Sequence, residues 1–251
     1  ISVKELTDFW LGTERNAEAM WQSWKGPHRR QVLLALACIP EPSARDLATI
    51  PAVEHDRSRF LGGSDAAAVM GLSPWATPVE LWQQKTGRAP KPKPDAAQRK
   101  RMERGRRLEP FIRDMVLSKL RDEHGMEVEL VTYNERYSDP EHSFLSCEID
   151  FELILTGTMM IGDAEVVFDR EHINGDAKSV AGFARKKWGL IDTEDVPIEY
   201  AAQFMHGLMV TGRRYCLVAA LRSFDDVDIF WTVRDDETIA DGQPDYAELY
   251  E

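Results

Sequence analysis

The spacing of the apolar residues predicts helices at the start of the chain. Leu6, Phe9 and Trp10 begin a series that recurs at the three- and four-residue intervals of an amphipathic helix. A Gly-Pro pair soon after Trp24 breaks this helix, and a second one follows. We therefore expect residues 1–50 to form an N-terminal helical extension, whose aromatic stripe either belongs to a core or docks a partner.

Turn and capping residues predict four further helices in the rest of the chain. Glycine pairs and Thr-Pro or Pro-Ile steps mark their starts, and glycine marks two of their ends. The predicted helices are an Ala-rich segment after Gly62-Gly63, Thr77-Pro78 to Lys85, Arg99 to Leu120, and Pro197 to Val210.

From Val128 onward, apolar and polar residues alternate with a period of two, which predicts half-buried strands. Short turns join the first four strands, so we expect an antiparallel meander, closed by two strands after the last helix. The predicted strands are Val128–Tyr133, Phe144–Leu155, Glu165–Phe168, His172–Lys178, Tyr215–Leu221 and Asp228–Val233.

These elements predict an α+β fold, in which helices flank a central mixed, largely antiparallel sheet. The sheet and its helices would form one domain of residues 51–251, preceded by the extension of residues 1–50. The acidic tail, residues 235–251, is expected to be a surface helix or partly mobile.

Composition narrows the class of protein. Hydrophobic residues make up 43% of the chain, which is enough for a core, and the net charge of −12 argues against a general polyanion-binding surface. Nucleic acid would therefore be confined to one basic groove on an acidic body. Three widely spaced cysteines give no zinc-ligand spacing and fit a reducing cytosol. The apolar run 32–39 is too short to span a bilayer, so no membrane contact is expected. Because the sequence begins with Ile1, we expect its native first residue or residues to be missing.

Candidate catalytic residues lie near the ends of two predicted strands. Asp176 and Lys178 are two apart on one strand and would point to the same face, with Ala177 turned into the core. If Asp150 comes from the neighbouring strand, two carboxylates and one ammonium meet, which suits Mg²⁺ and an attacking water. An acid and a lysine at this spacing are also common as a weak surface ion pair, and the motif alone favours that interpretation.

A glycine-rich turn predicts an anion-binding site. Gly62 and Gly63 precede Ser64 and Asp65 at the start of the Ala-rich helix. Exposed amides at such a start, together with the Ser64 hydroxyl and nearby arginines, can hold a phosphate-sized anion. The alternative is an ordinary N-cap by Ser64 or Asp65, which the turn on its own favours.

Two polar residues in predicted helices are further candidates. Glu109 could bind a metal ion or position a water, although a surface ion pair with Arg106 or Arg113 is a strong alternative. Gln203 lies in an otherwise apolar helix, where a buried amide needs partners. It could hold Lys178, an attacking water or a DNA backbone.

These motifs appear in the order of a known family. The blocks Leu61–Ala67 and Gly71–Trp75, and then Lys85-Thr86-Gly87, resemble the N-terminal signature of YqaJ-like viral recombinase nucleases. These are relatives of the lambda-type phage exonucleases within the PD-(D/E)XK superfamily, so the resemblance implies a restriction-endonuclease-like core. It covers roughly residues 57–233. Its matching positions include Glu109 in a helix, Asp150 as the first aspartate, Asp176-Ala177-Lys178 as the acid-x-Lys, and Gln203 in the later glutamine helix.

The resemblance implies a catalytic role for each of the residues that match. Asp150 and Asp176, with the carbonyl of Ala177, would bind Mg²⁺ or Mn²⁺, and Glu109 would help directly or through water. Lys178 would orient or deprotonate the water, or neutralise charge on the scissile phosphate.

The resemblance also implies a site for the end of the DNA. Ser64, with Arg57 or Arg59 and the amides around Gly63, would hold a 5′-phosphate. Gln203 would support the catalytic lysine or the attacking water.

Three features of this chain depart from the family's pattern. Phe151 follows the first aspartate where the family usually has glycine, and the acid-x-Lys uses Asp176 rather than glutamate. The polar pair Asn174-Gly175 precedes it where a hydrophobic strand is usual. These departures concern the metal geometry rather than the fold.

The first hypothesis is therefore a Mg²⁺-dependent 5′→3′ exonuclease that hydrolyses linear double-stranded DNA from its ends in phage-type recombination. The resemblance also implies a homo-oligomer, for which a trimeric ring is one form, and a single-strand-annealing recombinase as partner, in the cytoplasm of a bacterial or phage-infected cell. One alternative is an endonuclease or nickase on the same core, which would cut closed circular DNA. Another is a catalytically weak DNA- or protein-binding module, whose binding would survive Asp176→Asn.

Overall fold

The computed structural model describes residues 57–90, 92–180, 182–223 and 226–240. The predicted N-terminal extension, the domain boundary that follows it, and residues 241–251 of the predicted tail lie outside the described residues. Residues 236–240, at the start of that tail, are helical.

Among the described residues, four α-helices of seven or more residues flank the sheet, and capping residues in the sequence explain where two of them begin. Thr77 accepts a hydrogen bond from the Glu80 N–H while the Glu80 carboxylate reaches back, and Asp95 and Gln98 form the same reciprocal pair. Short 3₁₀ turns occupy Arg57–Arg59 and Gly182–Lys187. The helices are α1 (Gly63–Val69), α2 (Pro78–Lys85), α3 (Ala96–Asp122) and α4 (Ile198–Thr211). None of these helices is long and apolar enough to cross a lipid bilayer.

The sheet has five strands in the order β1-β2-β3-β4-β5. The neighbouring pairs are antiparallel except for β3 and β4, which are parallel. The prediction of an α+β fold with a mixed, largely antiparallel sheet is therefore confirmed. The strands are β1 (Glu127–Ser138), β2 (Ser146–Ile161), β3 (Ala164–Ser179), β4 (Tyr215–Leu221) and β5 (Asp228–Val233).

The prediction of separate strands at Glu165–Phe168 and His172–Lys178 is wrong, because β3 runs unbroken through both. Its pairing with β2 shifts register at an irregularity, and Arg170 adopts a positive φ of 50° close to that point. Such a bulge resets the alternation of apolar and polar residues, so one strand looks like two in the sequence. β1 and β2 also extend further at their C-terminal ends than predicted. In β1 an irregularity after Leu130 shifts the register and interrupts the alternation of apolar and polar residues.

Alternate residues of β4 face opposite sides of the sheet, which places α3 and α4 on its two faces. Leu217 and Ala219 belong to a hydrophobic cluster with Ile112 of α3. Val218 and its alternate neighbours pack with Phe204 of α4 in a second cluster. All seven residues of β4 are buried as a result, which is typical of a strand covered on both faces.

Phe151 and Gly175 are directly paired across β2 and β3, and their shapes are complementary. The Phe151 ring is buried in the main cluster and covers Gly175, so that a Cβ added to Gly175 would lie 2.1 Å from Cε2 of the ring. Two of the departures from the expected pattern are therefore spatially complementary, because the Phe151 ring occupies the space that a side chain at position 175 would need.

We predict that this pair is energetically coupled. Gly175→Val should destabilise the protein by about 1–3 kcal/mol through overpacking, and Phe151→Ala should cost about 3–5 kcal/mol by leaving a cavity. The double variant should cost less than the sum, because the valine fills part of the space left by the ring. Urea denaturation measures all three free energies of unfolding.

A glycine in open surroundings provides the control. Nothing lies within 4 Å of a Cβ added to Gly105, in the middle of α3. Gly105→Ala should therefore stabilise the protein by about 0.5–1 kcal/mol, as alanine does in a helix interior. Strictly additive effects at Phe151 and Gly175 would contradict the complementarity.

Candidate active site

Seven of the ten predicted site residues line one open cavity of about 620 Å³, whereas Arg59, Ala177 and Lys178 do not. It lies where the C-terminal part of β3 leaves β2, between the glycine-rich loop, α3 and α4. Of the residues singled out in the sequence, those that line the cavity are Arg57, Gly63, Ser64, Glu109, Asp150, Asp176 and Gln203.

The Asp150 carboxylate sits at the point where β2 and β3 separate. Their last paired residues are Phe151 and Gly175, and beyond them β3 continues beside β4. Asp150 Oδ2 accepts a hydrogen bond of 2.8 Å from the N–H of Ala177. The side chain thus satisfies a backbone donor that has lost its antiparallel partner strand, and it brings Asp150 beside Asp176.

Asp176, Lys178 and Gln203 form a connected group. Lys178 Nζ lies 2.7 Å from Asp176 Oδ1, as the two-residue spacing on a strand predicts, while the Ala177 side chain is buried in the core on the other face. The Gln203 amide spans the pair: its Nε2 donates to Asp176 Oδ2 at 3.3 Å, and its Oε1 accepts from Lys178 at 3.4 Å. Of the three partners considered for Gln203 from the sequence, which were Lys178, an attacking water and a DNA backbone, Lys178 is the one it contacts here.

The carboxylates of the cavity crowd one another. Burial raises the pKa of Asp150 to about 8, and the nearby Asp176 carboxylate adds to the rise, although Lys178 and the Ala177 N–H oppose it. Burial and then the Asp176 carboxylate also raise the pKa of Glu109 above its ordinary value.

The same carboxylates favour the charged form of Lys178, whereas Asp176 disfavours the charged form of Asp150. Burial works to lower the pKa of Lys178, but the carboxylates of Asp176 and Asp150 outweigh it, so the pKa is raised. Its ammonium also lies 5.2 Å from the Tyr200 ring centroid and 5.3 Å from that of Phe204, contacts that favour a cation.

Glu109 faces the cavity rather than forming the surface pair considered from the sequence. Arg113 pairs with Asp114 instead, at 2.9 Å. Within the described ranges, no cation lies within ion-pair distance of Glu109, and Arg106 influences it only at longer range.

The structure separates the two arginines proposed beside the glycine-rich loop. Arg57 Nη2 donates to the Ser64 Oγ at 2.6 Å, and both residues line the cavity, whereas Arg59 does not. The alternative that Ser64 or Asp65 is the N-cap is wrong, because α1 begins at Gly63 and Gly62 holds the cap position.

Gly63 allows the loop to approach α4 closely. A Cβ added there would lie 3.2 Å from Cγ of Gln203 and 3.4 Å from its carbonyl oxygen. The start of α1, which carries Ser64, therefore packs directly against Gln203, the residue that contacts both Asp176 and Lys178.

An ion pair that the sequence analysis did not identify fixes this loop. Lys85 of α2 lies 2.7 Å from the buried carboxylate of Asp65 and donates to the carbonyls of Arg57 and Phe60. Asp65 in turn accepts from the N–H of Gly62 at 3.0 Å. Both ions lie inside the motif blocks, but nothing in the spacing of the sequence says that they meet.

The loop is also joined to the start of β2. Leu61 donates from its N–H to the carbonyl of Phe144 at 2.7 Å and accepts from the N–H of Ser146 at 2.9 Å. This parallel bridge connects the segment that precedes Ser64 to β2, the strand that carries Asp150.

Two further arginines line the cavity, and sequence reasoning assigned neither to it. Arg106 lies on α3 one turn before Glu109, and Arg136 lies on β1, where it stacks over the Phe60 ring and contacts Glu148 at 3.3 Å. Arg136 alternates with ordinary surface residues on an edge strand, so no sequence signal distinguishes it.

The polar residue Asn174, the other departure in β3, belongs to a buried network. It is paired with Glu152 across the strands, and Arg213 donates to both, at 2.8 Å to Asn174 Oδ1 and 2.8 Å to Glu152 Oε2. Asn174 also donates to Thr211. This ionic bridge joins β2 and β3 at the residue pair next to Phe151 and Gly175, two residues along each strand from Asp150 and Asp176.

The oxygen donors at the strand ends fit a hard divalent cation. Asp150 and Asp176 are neighbouring carboxylates, and burial together with the charge of Asp176 raises the pKa of Asp150, so a bound cation would favour the charged form of both. Among the described residues, no three Asp, Glu, His or Cys side chains are already gathered around one point. A cation here would therefore complete its coordination with the Ala177 carbonyl or with water.

The chain is similar to a known domain family and to a bacterial protein. The model of the YqaJ-like viral recombinase domain matches residues 54–214. The uncharacterized protein YqaJ of Bacillus subtilis (strain 168) is 28% identical over 160 residues, which are 64% of this chain and 42% of that protein. The chain thus spans less than half the length of this relative.

Two solved structures are similar at a more distant level. The alkaline exonuclease LHK-Exo from Laribacter hongkongensis has a TM-score of 0.49 and 21% identity, covering 77% of this chain and 87% of that one. Its complex with dAMP gives 0.48 and 22%, covering 77% and 89%. These scores are too low to transfer a role to any residue.

The family match covers more than half of the chain, and it includes the glycine-rich loop, the Glu109 helix and the strand ends that carry both aspartates. The protein therefore belongs to the YqaJ-like viral recombinase domain family.

Proposed function

We propose that the protein is a metal-dependent DNA exonuclease that hydrolyses linear double-stranded DNA from a 5′ end. The observation that carries this proposal is the meeting of Asp150 and Asp176 in a cavity that Arg57 and Ser64 also line, with the Lys178 ammonium 2.7 Å from Asp176. Carboxylates for a cation, an ammonium and a phosphate-sized group of donors are the parts that phosphodiester hydrolysis requires. Family membership supports the same conclusion.

In this proposal Asp150, Asp176 and the Ala177 carbonyl hold Mg²⁺ or Mn²⁺, with Glu109 acting directly or through a water. The bound cation would supply a Lewis acid and an activated water. Lys178 would neutralise charge on the scissile phosphate, or orient or deprotonate the attacking water. Gln203 holds that ammonium and Asp176 in fixed relation.

Arg57 and Ser64 are proposed to bind the terminal 5′-phosphate. Their mutual hydrogen bond and the Lys85 contacts to the loop hold both donors in place before DNA arrives, which reduces the ordering cost of binding. End recognition of this kind favours an exonuclease over an endonuclease. A homo-oligomeric ring and a single-strand-annealing recombinase partner remain part of the proposal through the family resemblance alone.

We predict that linear duplex DNA is degraded in Mg²⁺ while closed circular DNA is not. EDTA should abolish the degradation. Asp176→Asn should reduce kcat at least about 100-fold, because the site loses a charge aimed at the reacting group. Gel analysis of uniformly labelled linear and circular DNA measures the result, with circular dichroism to show that the variant is folded.

Cutting of the circle at a comparable rate would replace the exonuclease with an endonuclease. Absence of metal-dependent cleavage of either DNA by folded wild-type protein would contradict the nuclease proposal.

A second prediction separates the two arginines of the loop. Arg57→Gln and Ser64→Ala should each remove the preference for a 5′-phosphate over a 5′-hydroxyl end. A hydrogen bond to a charged group contributes about 1.5–3 kcal/mol, so kcat/KM for the phosphorylated end should fall roughly 10- to 100-fold. Rates on matched 5′-phosphorylated and 5′-hydroxyl duplexes give the ratio.

Arg59→Gln is the matched control, since Arg59 is an exposed arginine two residues away that does not line the cavity. It should leave the ratio unchanged. An equal loss in the Arg57 and Arg59 variants would show a general charge effect and not a phosphate site.

A further inference from the structure

The N-terminal half of α3 projects from the core. The buried residues of this helix all lie at or beyond Ile112. From Ala96 to Arg107 every residue is exposed except the half-buried Gly105. At 1.5 Å per residue, this segment of residues 96–107, here called the basic arm, is about 18 Å long.

The basic arm carries a charge opposite to that of the whole chain. It has six basic residues and one acidic residue, while the net charge of the protein is −12. Arg107 pairs with Glu103 at 2.6 Å, and Arg99 donates to the carbonyl of Pro94. In the part of the chain that the structure describes, the other four have no carboxylate within ion-pair distance. The six basic residues are Arg99, Lys100, Arg101, Arg104, Arg106 and Arg107.

These charges surround much of the helix. At about 100° per residue, the arc from Arg106 through Lys100 to Arg101 covers about 220° of its circumference. A helix is about 10–12 Å across with its side chains, close to the width of the major groove of B-DNA. Basic side chains on opposite sides of one helix could therefore reach the phosphates of both strands that border a groove.

The basic arm leads directly to the candidate site. Arg106 lies in the last turn of the arm, and Glu109 lies one turn further along the same helix. Both residues line the cavity that Asp150 and Asp176 also line. A duplex whose end occupies the cavity would have its continuing backbone beside this helix. The charge complementarity is local, which explains how a protein of net charge −12 could hold DNA.

We propose that the basic arm binds the phosphate backbone of the duplex ahead of the cleaved end. This inference rests on the proposed function, because it assumes that the cavity receives DNA. The arm contributes sequence-independent affinity and keeps the duplex aligned with the cavity, separately from the donors that bind the terminal phosphate.

The test replaces three arm residues that do not line the cavity. The variant Lys100→Gln/Arg101→Gln/Arg104→Gln removes three charges while keeping good helix formers, so its melting temperature should be close to that of the wild type. Binding to a 5′-phosphorylated 30-bp duplex in EDTA is followed by fluorescence anisotropy over a series of KCl concentrations. Loss of three phosphate contacts should reduce the slope of log K against log salt by roughly two to three, and the affinity near 100 mM salt by at least about tenfold.

Two controls share the design. The charge-conserving variant Lys100→Arg/Arg101→Lys/Arg104→Lys should retain the slope of the wild type. Arg170→Gln removes one exposed charge from the half of β3 that lies away from the cavity, where Arg170 pairs with Glu129 of β1. This variant should change the slope by less than half a unit. Sedimentation of all variants reports the oligomeric state.

The outcomes separate this proposal from the nuclease itself. An unchanged slope in the neutral variant, with metal-dependent cleavage intact, would overturn the arm and leave the nuclease standing. A reduced slope with no cleavage by wild-type protein would support the arm and remove the exonuclease. A greater loss of affinity for a 30-nucleotide single strand than for the duplex would overturn the duplex assignment, as would an altered oligomeric state without any change in DNA affinity.

Discussion

The hydrogen bond from the Ala177 N–H to the Asp150 carboxylate is the constraint on which the site depends. At this point β3 leaves its antiparallel neighbour and continues beside the parallel strand β4. An unpaired buried N–H would cost about 1–3 kcal/mol, and a side chain from β2 satisfies it. The carboxylate that allows the strands to separate is thereby fixed next to Asp176, so the topology of the sheet and the chemistry of the cavity have one origin.

Charge balance follows from that geometry. Burial first, and then the neighbouring Asp176 carboxylate, raise the pKa values of Asp150 and Glu109. The attraction of Asp176 and Asp150 for the Lys178 ammonium raises the pKa of that lysine. A site of this kind gains when further positive charge arrives. That explains why the arrangement suits a divalent cation even though no third carboxylate is already in place among the described residues.

Much of the fold could be predicted from the sequence, because apolar and polar residues alternate along half-buried strands and fully buried strands are continuous apolar runs between clear turns. The strands Tyr215–Leu221 and Asp228–Val233 were placed at the bounds that the structure gives. The period of two also placed Asp176 beside Lys178. The unbroken β3 could not be predicted, because a bulge is defined by pairing with another strand and not by the sequence of one. Likewise, the choice of Arg57 over Arg59 and the Asp65–Lys85 ion pair depend on how a loop packs against α2, which no local pattern encodes.

The departures from the family's pattern illustrate how such a site tolerates change. Read singly, Phe151 and Gly175 each break an expected position, but the ring of one occupies the space that the other lacks. Asn174 appears too polar for a buried strand until Arg213 and Glu152 are seen to pair with it. A buried ionic bridge is a weak source of stability, yet removing one partner is strongly destabilising because a charge is left unpaired. The bridge joins β2 to β3 at Glu152 and Asn174, next to the last pairing of the two strands, Phe151 with Gly175, beyond which Asp150 and Asp176 lie.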